Sequence, residues 1–281
     1  MNRPALRYHG GKWKLAKWVI SHFPAHRIYT EAYGGAASVL LQKPRCYSEV
    51  YNDLDGEVVN LFRVLRDPAQ AKDLTNVLFL TPFAREEFED AYRVCADPIE
   101  SARRLVVRSF MGFGSGATAR GHRTGFRANS SRSGTTPAHD WANYPAALRD
   151  ITERLSGVVL EHRPALQVLK SHDAPDTLHY VDPPYPVGTR QLRPGESVYN
   201  HEMTDADHIE LLGALQMLRG MVALSTYANP EYARLLDVGW KSVTKEVQID
   251  HAKRRTEVLY LNPALLTRLP ANLFQEAVHA L

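Results

Sequence analysis

Residues 177–185 read Thr177-Leu178-His179-Tyr180-Val181-Asp182-Pro183-Pro184-Tyr185, and the reading of this stretch decides the fold. Thr177 to Val181 predicts a short strand, because β-branched and aromatic residues dominate it. The strand has to end at Asp182. Pro183 and Pro184 have no N–H for a ladder, and each restrains the residue before it to an extended backbone. A carboxylate, two stiff residues with unblocked carbonyls and an aromatic ring are thus held at the C-terminal lip of a sheet. In open α/β sheets that lip is where ligands bind. The carboxylate and a carbonyl can both accept from one amino group, and the ring can stack on a flat base. An ordinary strand closed by a proline turn reads the same way, so the stretch alone leaves both open.

Upstream, residues 27–33 (RIYTEAY) predict a strand, followed by the turn Gly34-Gly35-Ala36-Ala37-Ser38 and an apolar helix through Leu41. Strand, small-residue turn, helix is the opening of a nucleotide-binding βαβ unit, although the strict G-x-G-x-x-G pattern is absent. The next strand, Cys46 to Tyr51, runs into Asn52-Asp53-Leu54-Asp55. Asp53 stands 19 residues after Gly34, near the offset at which an acid meets ribose hydroxyls in such folds. Asp55 reads as the N-cap of a helix from Gly56 to Arg66. Residues 8–22 open with Gly10-Gly11-Lys12 and then show helical spacing. Gly10 and Gly11 let a backbone approach a ligand at a helix start, and Lys12 puts a cation there. This is not a P-loop, since Trp13 follows Lys12 where Ser or Thr is needed.

Residues 68–111 predict helices broken at Pro82 and Pro98, with Phe79, Leu80, Phe83, Phe88 and Tyr92 as core. From Ser101 to His139 there is no Asp or Glu, but seven arginines: Arg103, Arg104, Arg108, Arg120, Arg123, Arg127 and Arg132. Such a segment suits a polyanion. Its glycine- and serine-rich part, to Pro137, cannot build a large core of its own and reads as an insertion. A helix at 144–155, a strand at 157–161 and a helix at 165–171 lead back to the opening strand. After Tyr185 a polar, glycine- and proline-punctuated run suits a lid over the site. Then come a helix from Asp205 to Leu218 capped by Thr204, a strand from Met221 to Ser225, and strands at 240–248 and 255–261.

With 281 residues, 44% of them hydrophobic, the chain can bury a full α/β core. No apolar run is long enough for a membrane span, and the N-terminus does not read as a signal peptide. Cys46 and Cys95 can form neither a disulfide framework nor a zinc site, and read as buried small hydrophobes. A cytoplasmic, reducing-compartment protein is expected, with no metal, no membrane and no obligate protein partner. The net charge of +3 is only mildly basic.

Taken in order, Tyr8-His9-Gly10-Gly11-Lys12, Glu31-Ala32-Tyr33-Gly34-Gly35-Ala36-Ala37-Ser38, Tyr51-Asn52-Asp53 and Asp182-Pro183-Pro184-Tyr185 resemble the Dam-type DNA adenine-N6 methyltransferases, from about residue 5 to about residue 263. The resemblance implies an α/β, Rossmann-like sheet that uses S-adenosyl-L-methionine (AdoMet), with an inserted, mostly helical and loop target-recognition region. Residues 1–66 and 156–265 would be the catalytic domain, 67–155 the insertion and 266–281 a tail. Tyr8, Gly10, Lys12, Tyr33, Gly34, Asp53 and Asp182 correspond to the cofactor-binding positions, and Asp182, Pro183 and Tyr185 to the catalytic ones. Double-stranded DNA would be the acceptor, contacted by Arg120, Arg123, Arg127 and Arg132 through phosphate or guanine edges. At Ala32-Tyr33 the family usually has Pro-Phe; Tyr33 keeps the ring.

The residues suit that chemistry by themselves. A flipped adenine would stack on Tyr185, while Asp182 and the Pro183 carbonyl accept from its N6 amine and aim the lone pair at a methyl carbon. Cytosine-N4 methylation presents the same geometry, although serine would be more usual than Asp182. A catalytically silent DNA-binding relative, and a methylase acting on RNA or on a protein amide, are further alternatives. The recognition sequence is not legible in these residues.

Overall fold

The fold is described from a computed structural model covering residues 3–114, 116–119, 121, 123–128, 134–186, 188, 199–250 and 253–270, leaving aside the side chains of 248–250, 253 and 254. A seven-stranded sheet runs in the order β3-β2-β1-β4-β5-β7-β6. Its strands are β1 (Ile28–Glu31), β2 (Ser48–Asn52), β3 (Val158–Glu161), β4 (Thr177–Val181), β5 (Met221–Tyr227), β6 (Lys241–Asp250) and β7 (Lys253–Leu261). The first five are parallel, and β7 runs antiparallel to both neighbours. The chain steps outward from β1 through β2 to β3, then returns to β4 on the other side of β1. The order therefore reverses between β1 and β4, the position at which open α/β sheets bind ligands. The predicted Rossmann-like α/β class is the fold observed.

All five residues of β4 are buried, as a central parallel strand covered on both faces requires. Leu178 and Tyr180 join one core with Tyr29, Tyr51 and Ala223, and Val181 joins a second with Val222, Leu224 and Leu211. The first core continues without a break into α2 (Gly56–Arg66), α3 (Pro68–Leu80), α5 (Pro98–Met111) and α7 (Tyr144–Leu155). The second is closed by α9 (Asp205–Gln216).

Local signals set the helix ends. Asp55 accepts from Glu57 N at the start of α2, and Thr204 and Asp207 form a reciprocal capping box at α9. Among the described residues no helix is long and apolar enough to cross a membrane.

Four expectations are corrected. The helix expected after the Gly34–Ser38 turn, through Leu41, does not form and the chain stays in turns there; within the expected turn Gly35 and Ala37 take positive φ of 48° and 52°. The N-terminal helix spans only Ala16–Ile20 (α1), so Gly10, Gly11 and Lys12 precede it in a turn. Phe79 and Leu80 are 76% and 75% exposed; the buried stripe of α3 is Ala71, Leu74 and Leu78, which turns its last two residues outward. Cys46 and Cys95 are half-buried and lie outside helices and strands.

Candidate active site

At the β1/β4 reversal lies a cavity of about 460 Å³, within the roughly 300–1,000 Å³ usual for small-molecule sites. Tyr8, Gly10, Lys12, Tyr33, Gly34, Asp53 and Asp182 all line it. Parallel register places Glu31 beside Tyr180, so the turn after β1 and Asp182 after β4 face one another across the crevice.

Lys12 is the link between them. Its Nζ lies 2.9 Å from Asp182 Oδ1 and 2.9 Å from the Gly10 carbonyl, and 4.6 Å from the centre of the Tyr185 ring. Burial opposes the charge on Lys12, yet Asp182 and Glu257 outweigh it and hold the ammonium above the usual lysine value. Burial also lifts the Asp182 carboxyl to about 6; Lys12 pulls against that rise and Glu257 adds to it.

Asp53 is held by the backbone. Gly35 N donates to Oδ2 and Asp55 N to Oδ1, each at 2.7 Å. Burial raises this carboxyl to about 6 despite those two donors. Gly34 is required by the protein itself, because a Cβ there would come within 2.1 Å of the Tyr51 ring. The Tyr51 hydroxyl in turn donates to the Gly35 carbonyl. Gly10 has φ of +71°, and a Cβ on it would meet the Tyr199 hydroxyl at 2.6 Å.

Pro183 and Tyr185 do not line the cavity. Tyr185 is 3% exposed; its hydroxyl donates to Glu257 Oε2 at 2.9 Å, and its ring meets Tyr227 edge-on at 4.3 Å. The Asp182–Tyr185 turn is thus anchored by Tyr227 of β5 and Glu257 of β7.

The lining also holds residues that the sequence reading did not assign. Glu31 accepts from the Tyr29 hydroxyl and Leu40 N, and burial lifts its carboxyl to about 8. Pro164, Ala165, Leu166 and Gln167 form another side, and Tyr199 to Met203 a further one. Asn200 donates to Asp55 Oδ2. The end of the expected lid therefore borders the cavity, while 187 and 189–198 lie outside the described residues. Glu257 carries a signal in hindsight: it is the acid beside the apolar run Val258-Leu259-Tyr260-Leu261.

The arginine segment resolves differently from its sequence. Arg103 pairs with Glu87 and Glu100, Arg104 with Glu100, and fully buried Arg108 with Glu57. Glu100, one turn upstream on the same helix, and the more distant Glu87 and Glu57 pair with these three, which corrects the reading of the whole segment as free positive charge. Arg123 is exposed, with its guanidinium 5.1 Å from the Tyr92 ring centre. Arg127 is half-buried and donates to the Phe110 carbonyl. Arg120 and Arg132 lie outside the described residues. Among the described residues no group of three or more His, Cys, Asp or Glu could hold a metal ion.

The family model for the D12 class N6 adenine-specific DNA methyltransferases matches residues 8–249. Among solved structures, a candidate rRNA-methylase from Clostridium thermocellum is similar at 10% identity and a TM-score of 0.38, over 90% of this chain and 96% of that one. Among curated proteins none matches.

Proposed function

This chain belongs to the D12 class N6 adenine-specific DNA methyltransferases, and from that premise we propose how its residues carry out the reaction. The activity is methyl transfer to the exocyclic N6 amine of adenine in DNA. We assign the β1/β4 cavity to AdoMet and the Asp182–Tyr185 turn to a flipped adenine of duplex DNA. Residues 1–66 and 156–265 carry catalysis in this reading, and 67–155 target recognition.

One observation carries it. Asp53, Asp55, Asp182, Glu202, Asp207 and Glu210 line the cavity, beside a Glu31 whose raised carboxyl keeps its proton, against Lys12 as the one lysine or arginine among the described residues there. That surplus of acid suits a cationic ligand, and AdoMet carries a sulfonium and an ammonium. When bound, AdoMet supplies an activated methyl group. Asp53 is suited to the ribose hydroxyls, because a carboxylate accepts strongly from both.

Extruding adenine from the duplex costs on the order of a few kcal/mol. Lys12 holds Asp182 through Oδ1, and Oδ2 with the Pro183 carbonyl accepts the two N6 hydrogens. This draws the nitrogen lone pair out of conjugation and aims it across the cavity. The Tyr185 ring stacks on the base, a contact worth roughly 1–3 kcal/mol by analogy with single-strand binders. Because the ring is covered by Lys12 and Tyr227, base entry has to open one of its faces. Once the nitrogen has become cationic it is acidic, and Asp182, with its carboxyl lifted to about 6, is placed to take its proton.

Incubation with methyl-labelled AdoMet and mixed-sequence duplex DNA, followed by digestion to nucleosides, tests this reading. Label is expected in N6-methyladenine; label in N4-methylcytosine, or only in RNA or protein, overturns it.

A further inference from the structure

Glu257 stands on β7 opposite Tyr227 of β5, is 6% exposed, and has no place among the cavity-lining residues. It nevertheless meets the catalytic turn twice. It accepts the Tyr185 hydroxyl at 2.9 Å, with Ser225 Oγ 3.4 Å from the same hydroxyl. Its charge also acts on both members of the Lys12–Asp182 pair, raising each. Behind it, Arg255 donates to the Tyr227 hydroxyl and lies 5.1 Å from that ring's centre, so Tyr227 is fixed against Tyr185 from the far side.

The charge balance gives this arrangement a purpose. Lys12 and Asp182 form a pair of zero net charge, yet the amine nitrogen turns cationic as its lone pair takes the methyl group and the carbon–sulfur bond pair leaves with sulfur. A neutral pair offers that cation little; a second carboxylate behind it makes the surroundings negative, and a buried charge acts through a low effective dielectric. We propose that Glu257 is a positioning residue for the reaction: it fixes the Tyr185 ring by the hydroxyl and keeps Lys12 from neutralising the acceptor site. The inference rests on the assignment of Asp182 to the acceptor amine. The groups acting on Asp182 are Lys12 from the N-terminal turn, Glu31 from β1, Tyr180 from β4, Tyr185 from the catalytic turn and Glu257 from β7.

The test compares Glu257→Gln, Tyr185→Phe and Asp182→Ala with the unaltered protein, using labelled AdoMet and duplex DNA. Glu257→Gln is expected to lower kcat about tenfold or more while KM for AdoMet and DNA stays within about twofold. The acid limb of the kcat–pH profile should move to lower pH, since losing a neighbouring negative charge eases ionisation of Asp182. Glu257→Gln removes the charge but keeps an amide oxygen for the Tyr185 hydroxyl, whereas Tyr185→Phe removes that hydrogen bond and keeps the charge, so the two variants separate the two parts of the role. Wild-type kcat in Glu257→Gln or an unmoved acid limb would overturn the proposal. If Glu257→Gln does not fold, Tyr185→Phe decides: lower kcat at unchanged KM supports the link, and wild-type kcat overturns it. An active Asp182→Ala would instead sink the acceptor-site assignment, whereas an inactive Asp182→Ala beside a fully active Glu257→Gln sinks this inference alone.

Discussion

Lys12 Nζ and Asp182 Oδ1 lie 2.9 Å apart, joining the first glycine turn of the chain to the acid that ends β4. The pair is nearly enclosed, with side chains 4% and 15% exposed. Removing one partner leaves the other charge buried and uncompensated, at about 3 kcal/mol or more. Lys12→Met should therefore lower unfolding stability by about that amount. It should also push Asp182 above its present value of about 6, moving the acid limb of the pH–rate profile upward, opposite to the shift expected for Glu257→Gln. Denaturant titration and a pH–rate profile measure the two effects, and an unmoved limb would argue against the pair's electrostatic role.

Asp182→Ala should lower turnover by roughly a hundredfold or more, while duplex DNA affinity measured by gel shift stays within a few-fold. Phosphate contacts lie elsewhere in the proposed interface, and they dominate affinity. Near wild-type methylation by this variant would contradict the role given to Asp182.

Asp53→Asn removes the charge and keeps only one of the two acceptors that serve Gly35 N and Asp55 N. AdoMet binding, followed by calorimetry, should weaken about tenfold, the difference between a charged and a neutral acceptor. In the unaltered protein AdoMet binding should also weaken as pH falls through about 6, where Asp53 takes up a proton, and the variant should lack that dependence. Equal affinities across the series would remove Asp53 from the cofactor site.

Gly34→Ala forces a methyl group to within 2.1 Å of the Tyr51 ring. Relief requires the ring to move, which breaks its bond to the Gly35 carbonyl, and overpacking of this kind costs about 1–3 kcal/mol. A fall of several degrees in Tm is expected, and an unchanged Tm would mean that the ring yields freely.

Glu31 makes stability depend on pH. Its carboxyl sits at about 8 when folded, against 4.5 ordinarily. Between those values the folded chain holds a proton that the unfolded chain has released. The contribution is fully present below about pH 4.5 and is lost as pH rises through 8. Glu31→Gln keeps an acceptor for the Tyr29 hydroxyl and Leu40 N, so it should gain stability relative to the parent toward pH 8 and lose that advantage toward pH 5. Parallel thermal melts at the two pH values check this, and a pH-independent difference would refute it.

Much of the element pattern was legible because its causes are local. The double proline ends β4 after Val181, Asp55 caps α2 and Thr204 caps α9; each effect acts within a few residues. The helix expected after Ser38 did not form, and the positive φ of Ala37 in the turn before it is one that an alanine does not advertise. Phe79 and Leu80 failed because hydrophobicity says what can be buried, and only packing on α5 and α7 says which side of α3 is.

The sequence by itself determined the order of strands and helices, the proline-stiffened turn at Asp182 and the ligand-ready glycine turn at Gly34, since dihedral restraint and capping are settled between near neighbours. Only the tertiary structure decided which charges meet. Arg108 lies in a run of sequence without acids, yet its guanidinium rests on Glu57. Lys12 finds Asp182 across the sheet, and Tyr185 is tied to Glu257 on the reversed strand β7. Pairings of that kind follow from strand order and register, which bring distant residues within hydrogen-bond reach and shut water out around them.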